Sequence, residues 1–171
     1  MRLYSGQVTV VAKELCDLLM EGGDLEVTSE NIPEVEKDIE SVLREYIRLD
    51  RELVDEARDM KSRTGRGSIG GNKRKLAKQK GLSIVDDPVG YIINQIIETF
   101  FHSHFVEEVY SLDREMRRKM APVLKKQMSV EEELDEEVRD KIKNLEEGSQ
   151  AWDIEYQKAM GKLKRTKKLE D

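Results

Sequence analysis

The chain has 171 residues and a net charge of −6, with 37% apolar, 39% charged and only 5% aromatic residues, which allows one domain or two small ones around a thin core. Three prolines and a surplus of Glu, Lys, Arg and Leu favour long helices over sheets. Cys16, alone of its kind, excludes an internal disulfide; no stretch reaches membrane-span length, and the first six residues lack a signal-peptide core, so a cytoplasmic protein with no membrane partner is expected.

In chain order, Val8, Val11, Ala12, Leu15, Leu18 and Leu19 recur at helical spacing and predict an amphipathic helix that stops at Gly22-Gly23. A connection from Asp24 to Ile32 leads to Pro33, placed for the first turn of a second helix. That helix carries Val35, Ile39, Val42, Tyr46, Leu49, Leu53 and Met60 close to a heptad seam and is expected to be long. Residues 61–81 then form a basic, Gly-rich connector, expected to be irregular through Gly71 and helical from Asn72. Tyr91 to Phe101 predicts a more apolar helix, buried on two faces. In the helix after it, Pro122 is expected to cause a kink or a break. Ser129 and Glu132 have capping-box spacing, so a fresh helix is expected from Val130. Trp152 and Tyr156 anchor a final helix that ends in a basic tail.

The charge is segregated. Lys61, Arg63, Arg66, Lys73, Arg74, Lys75, Lys78 and Lys80 fall in one stretch without an acid, and Lys158, Lys162, Lys164, Arg165, Lys167 and Lys168 crowd the tail. Because the whole chain is at −6, the remainder is strongly acidic.

Sliding the sequence by 81 residues superposes apolar positions without a gap: Val8 on Val89, Leu15 on Ile96, Ile39 on Met120, Leu53 on Leu134. Glu52, Glu56, Arg58 and Asp59 fall on Glu133, Glu137, Arg139 and Asp140, and Gly67-Ser68 on Gly148-Ser149. The register predicts a duplication, with residues 1–81 as the first helical repeat and 82–171 as the second.

Met1-Arg2-Leu3, the run from Val35 to Leu43, Leu134 to Arg139, and Glu147 to Tyr156 with its Gly-Ser, Trp and Tyr together resemble a bacterial family catalogued as a domain of unknown function, number five hundred and seven. The resemblance spans essentially the whole chain, as two copies of the unit. It implies a helical bacterial protein and supplies no catalytic residues. The first copy departs from the pattern, because no Trp or Tyr follows Gly67-Ser68.

Gly65-x-Gly67-x-x-Gly70 matches a dinucleotide fingerprint in letters only, since a charged helix precedes it instead of a buried strand. Two readings of this stretch remain: a Gly-rich turn that presents Lys73, Arg74 and Lys75 to phosphate, or a flexible basic linker. Trp152 reads as a packing anchor before a base-stacking platform. His102 and His104 are too few for a zinc site, and with no other histidine in the chain no nucleophile-and-base set forms. The carboxylates of Glu131 to Glu137 read as a solvated face.

These features predict an all-α protein of two tandem helical repeats, each a helical hairpin with one long arm, elongated overall. It is expected to be non-enzymatic, without cofactor or metal. The expected function is binding of nucleic acid or another phosphate-rich partner through Arg63, Arg66, Lys73, Arg74, Lys75, Lys78, Lys80, Lys162, Lys164 and Arg165. The alternative is a helical scaffold that binds a protein partner or itself.

Overall fold

The computed structural model describes residues 1–169, and the fold is all-α. Helices α1 (Val8–Glu21), α2 (Ile32–Thr64), α4 (Pro88–His102) and α5 (Asp113–Met128) form a ring in which α1 packs on α2, α2 on α4, α4 on α5 and α5 on α1. Helix α3 (Ile69–Gln79) folds back along α2, while α6 (Val130–Lys141) and α7 (Gln150–Thr166) make a hairpin beyond α5. No described helix is long and apolar enough to cross a membrane.

The ring encloses the main core. Leu15, Leu19, Ile39, Leu43, Ile92, Ile96, Met116 and Met120 are among its largest fully buried side chains. As the periodicity predicts, α4 is covered on two sides, by α2 and by α5. A second, smaller core of Leu134, Val138, Ile142 and Met160 lies between α6 and α7.

Helix ends follow local chemistry. Gly23, at φ 75°, closes α1 as its backbone N–H donates to Met20 O while Asp24 N–H donates to Leu19 O, which satisfies two of the carbonyls a helix end leaves open. Asp87 caps α4 by accepting from Gly90 N–H, with Pro88 at the first helical position.

The connections after α1 and α4 meet in a two-residue antiparallel ribbon, β1 (Leu25–Glu26) with β2 (Glu108–Val109), in register Leu25 with Val109.

Two expectations are corrected here. Of the kink or break expected at Pro122, the break is overturned, since Pro122 lies inside α5, which continues to Met128; the fresh helix expected from Val130 begins there as α6. The interruption comes at Ser129, where the N-terminal segment supplies donors: Arg2 N–H to Met128 O at 3.0 Å and Gln7 Nε2 to Gln127 O at 2.9 Å. A helix end with its carbonyls taken by a neighbouring strand of chain is stable where it stops. Only the first long arm is therefore continuous, at 33 residues, and the second is divided into α5 and α6. The other correction concerns α3, which starts at Ile69 and not at Asn72.

Candidate nucleic-acid interface

The turn between α2 and α3 is built, not slack. Gly65, at φ 64°, ends α2 in the left-handed region and donates to Lys61 O at 2.8 Å. Gly67 follows at φ 76°, and Ser68 caps α3 by accepting from Gly71 N–H at 2.9 Å. Asn72, 8% exposed, pins the turn by donating through Nδ2 to Ala57 O and Arg66 O, both at 3.4 Å. A flexible linker has no such set of bonds, so that reading of the connector gives way to an ordered helical hairpin.

This hairpin sorts the cations of the first basic segment. Lys73 is a strut, its Nζ 2.5 Å from Asp50 of α2 with both side chains largely covered. Arg74 reaches Asp86 at 3.2 Å, and Lys80 reaches Glu56 at 2.5 Å. Arg63, Arg66, Lys75 and Lys78 are exposed, with no ion-pair partner among the described residues. The basic run that looks uniform in sequence is thus divided into docking cations and outward ones. Of the three pairs only Lys73–Asp50 is largely covered, and a desolvated cation already paired has less to gain from a phosphate than a solvated one; the Arg74–Asp86 pair, with side chains 69% and 68% exposed, holds its cation only weakly.

The second basic segment rides on α7. Ser149 caps this helix by accepting from Trp152 N–H at 3.2 Å, again just after a positive-φ glycine, Gly148 at φ 84°. Trp152 is half-buried and stacks on Tyr156 at 5.0 Å between centroids, with the Arg139 guanidinium 5.3 Å from the indole. Its role is packing, as expected. Asp135 accepts from Tyr156 Oη at 2.5 Å and from Arg139 Nε at 2.9 Å. The Tyr156 bond, followed by Arg139, holds the Asp135 carboxyl below the ordinary range. Burial, then Asp135, pushes the Tyr156 hydroxyl up to about 12. Lys162 and Arg165 are exposed, while Lys164 is half-buried, its Nζ over the Tyr4 ring at 5.2 Å.

Tyr4 joins the two segments. The Arg2 guanidinium lies 4.4 Å from the same ring. Beside Met1–Ser5 opens a cleft of about 580 Å³, walled by Arg51, Val54 and Arg58 of α2, by Lys73 of α3 and by Glu131 of α6. Tyr46 also lines it, with its hydroxyl held above the ordinary tyrosine range by burial and then by Asp50. Lys73 and Lys164, from the two separate basic segments, thus border one N-terminal arm.

Arg2, Arg51 and Arg58 are absent from the sequence expectation. The seven-residue spacing of Arg51 and Arg58 on α2 was the available signal, since it places both on one helix face. The arm's position carries no comparable mark, because it is fixed by donors to two backbone carbonyls at the end of α5.

His102 ends α4 exposed, and His104 is exposed in the following connection. Cys16 is buried in α1, its thiol pushed up to about 11 by burial, with smaller help from Glu36 and Asp17. Among the described residues no three His, Cys, Asp or Glu side chains gather as a metal site.

The family described as "Protein of unknown function (DUF507)" matches residues 1–169, and the chain belongs to it. Comparison with curated proteins gives no match.

Proposed function

We propose that this member of the DUF507 family is a non-enzymatic, cytoplasmic helical protein that binds nucleic acid along its phosphate backbone. The observation that carries the reading is the sorting of both basic segments: beside the paired struts, four cations at the α2–α3 turn and on α3 and two on α7 stand exposed without an ion-pair partner among the described residues. On a chain of net charge −6, cations concentrated in two segments make local positive fields for a polyanion. Arg63, Arg66, Lys75, Lys78, Lys162 and Arg165 are the contacts, since all six are exposed without ion-pair partners among the described residues. Phosphate contacts carry no base information, so binding is independent of sequence.

The salt dependence of duplex binding tests this. Six engaged cations give a log-affinity slope of about −5.4 against log salt. Replacing Arg63, Arg66, Lys75 and Lys78 by Ala flattens it by up to about 3.6 with the helical content unchanged. A quadruple variant that binds with the parent's affinity and slope sinks the role of the α2–α3 hairpin, and the helical scaffold with a protein partner or a second copy becomes the better reading.

The same reading takes the chain as two copies of one unit, 1–81 and 82–171. In support, α2 and α5 begin at Ile32 and Asp113, and α3 and α7 at Ile69 and Gln150, both pairs at the register of the sequence match. Leu15 and Ile96, Ile39 and Met120, Leu43 and Leu124, and Leu53 and Leu134 are buried as pairs. Ser68 and Ser149 cap matching helices after positive-φ glycines.

A further inference from the structure

We propose that the cleft between Met1–Ser5 and the middle of α2 is a binding site for a phosphate monoester of nucleotide size. This deepens the nucleic-acid reading and rests on it only for one of two possible sources of the ligand, a strand end instead of a free nucleotide.

The cleft's charge is what argues for an anion. Its three carboxylates each face a cation: Asp50 with Lys73 at 2.5 Å, Glu131 with Arg2 at 3.7 Å, and Asp55 with Arg58 at 3.7 Å. Arg51 is left over, with no ion-pair partner among the described residues. Only the Lys73 pair is short and covered. The Arg58–Asp55 pair is long, with side chains 63% and 66% exposed, so it exchanges readily for a better anion.

Arg51 and Arg58 stand two turns apart on one face of α2, about 10.5 Å along the axis. Side chains of that length reach a group placed between them, and each guanidinium offers a planar fork matched to phosphate oxygens. The volume, about 580 Å³, falls within the range of small-ligand sites. Val54 and Ile47 supply an apolar wall for a sugar or base edge, and Tyr46, neutral at physiological pH, is an uncharged neighbour that does not repel the phosphate. A dianionic terminal phosphate gains more from two guanidinium forks than an internal diester with its single charge.

The probes are AMP, adenosine, and one single-stranded oligonucleotide with either a 5′-phosphate or a 5′-hydroxyl, titrated into the full chain. AMP is expected to bind at least about tenfold more tightly than adenosine, and Arg51→Gln and Arg58→Gln each to weaken AMP about tenfold without lowering the melting temperature. Asp55→Asn, which removes the competing carboxylate, should leave AMP binding intact or tighten it. If the 5′-phosphate also strengthens the oligonucleotide and AMP competes that gain away, the ligand is a strand end. If AMP binds and the 5′-phosphate adds nothing, it is a free nucleotide. AMP binding no better than adenosine, or unaffected by Arg51→Gln, overturns the site. AMP binding without any binding of duplex or single strand keeps the cleft and removes the nucleic-acid function, whereas salt-dependent strand binding without AMP binding does the reverse.

Discussion

Asp24, fully buried after α1, holds the Lys119 ammonium of α5 at 2.7 Å across 95 residues of sequence. Its other carboxylate oxygen accepts from Ser111 Oγ at 2.5 Å, and its backbone carbonyl accepts from Tyr110 N–H. One acidic side chain therefore ties the connection after α1 to the connection after α4 and to α5. A buried carboxylate is tolerable only when each oxygen is satisfied, as both are here.

Removing the cation should expose how much depends on it. Lys119→Met leaves the covered Asp24 carboxyl with Ser111 as its one remaining side-chain partner, and is expected to cost about 3 kcal/mol in urea unfolding. The value sits at the low end of that range because Lys119 is 33% exposed and water can replace part of its contact. Lys37→Met, which breaks an exposed pair with Glu34 at 3.2 Å, should change stability by less than about 0.5 kcal/mol. Equal costs for the two variants would contradict the role given to Asp24.

The α2–α3 turn gives a second contrast, between two glycines with similar backbones. Gly65 and Gly67 have φ of 64° and 76°, so both penalise a side chain. A Cβ on Gly65 meets nothing within 4 Å, whereas one on Gly67 would sit 2.6 Å from Asn72 Oδ1, the residue that pins the turn. Gly65→Ala should cost about 1 kcal/mol, the backbone term alone. Gly67→Ala should cost at least about 1 kcal/mol more and speed amide exchange in α3, because Asn72 must leave Ala57 O.

The ring of α1, α2, α4 and α5 was legible because burial there is written in side chains. Val8, Val11, Leu15 and Leu19, or Val35, Ile39 and Leu43, repeat at helical spacing and are all buried. What escaped is written in backbone or in long-range contact. Gly70 and Gly71 argue against helix by propensity, yet Ser68 caps them and Ala77 docks on the core, so α3 begins early. Pro122 forfeits one helix bond, but Met116, Met120, Leu124 and Met128 are buried on both sides of it and keep α5 intact. The N-terminal arm is held by donors to Gln127 O and Met128 O, and the cleft draws on four segments, so neither leaves a local pattern. In the basic segment, residue type alone could not separate Lys73, a strut, from Lys75, a free cation.

Cys16 offers a pH test. Its thiol is buried with 0% exposure and pushed up from 9.0 to about 11, chiefly by burial. The folded value lies above the unfolded one, so the contribution is fully present below pH 9 and is lost as pH rises towards 11. Stability should fall through that window, and Cys16→Ala should remove that part of the fall. Native chain should react with a thiol reagent at least about a hundredfold more slowly than chain unfolded in urea, because the thiolate is the reactive form. Rapid native labelling would place the core face of α1 elsewhere.

The α6–α7 hairpin should melt apart from the rest. Its core of Leu134, Val138, Ile142 and Met160 is separate from the main cluster, and only four residues of it are buried. Trp152, the one tryptophan of the chain, lies in this hairpin against Tyr156 and Arg139, so its emission reports on that unit alone. The bond from Tyr156 to Asp135 sets the pH limits. Tyr156 is raised from 10.0 to about 12, so its share of stability is present below pH 10 and is lost between 10 and 12. Asp135 is lowered from 3.8, so its share is present above that value and is lost as pH falls through the folded one. In a urea titration at neutral pH, the Trp152 transition should precede the far-ultraviolet helical transition, which the ring dominates. Tyr156→Phe should bring the Trp152 midpoint lower and abolish its extra loss between pH 10 and 12, leaving the helical midpoint in place. Coincident transitions in the parent chain would mean that α6 and α7 fold as one cooperative unit with the ring, and that the small core borrows its stability from the large one.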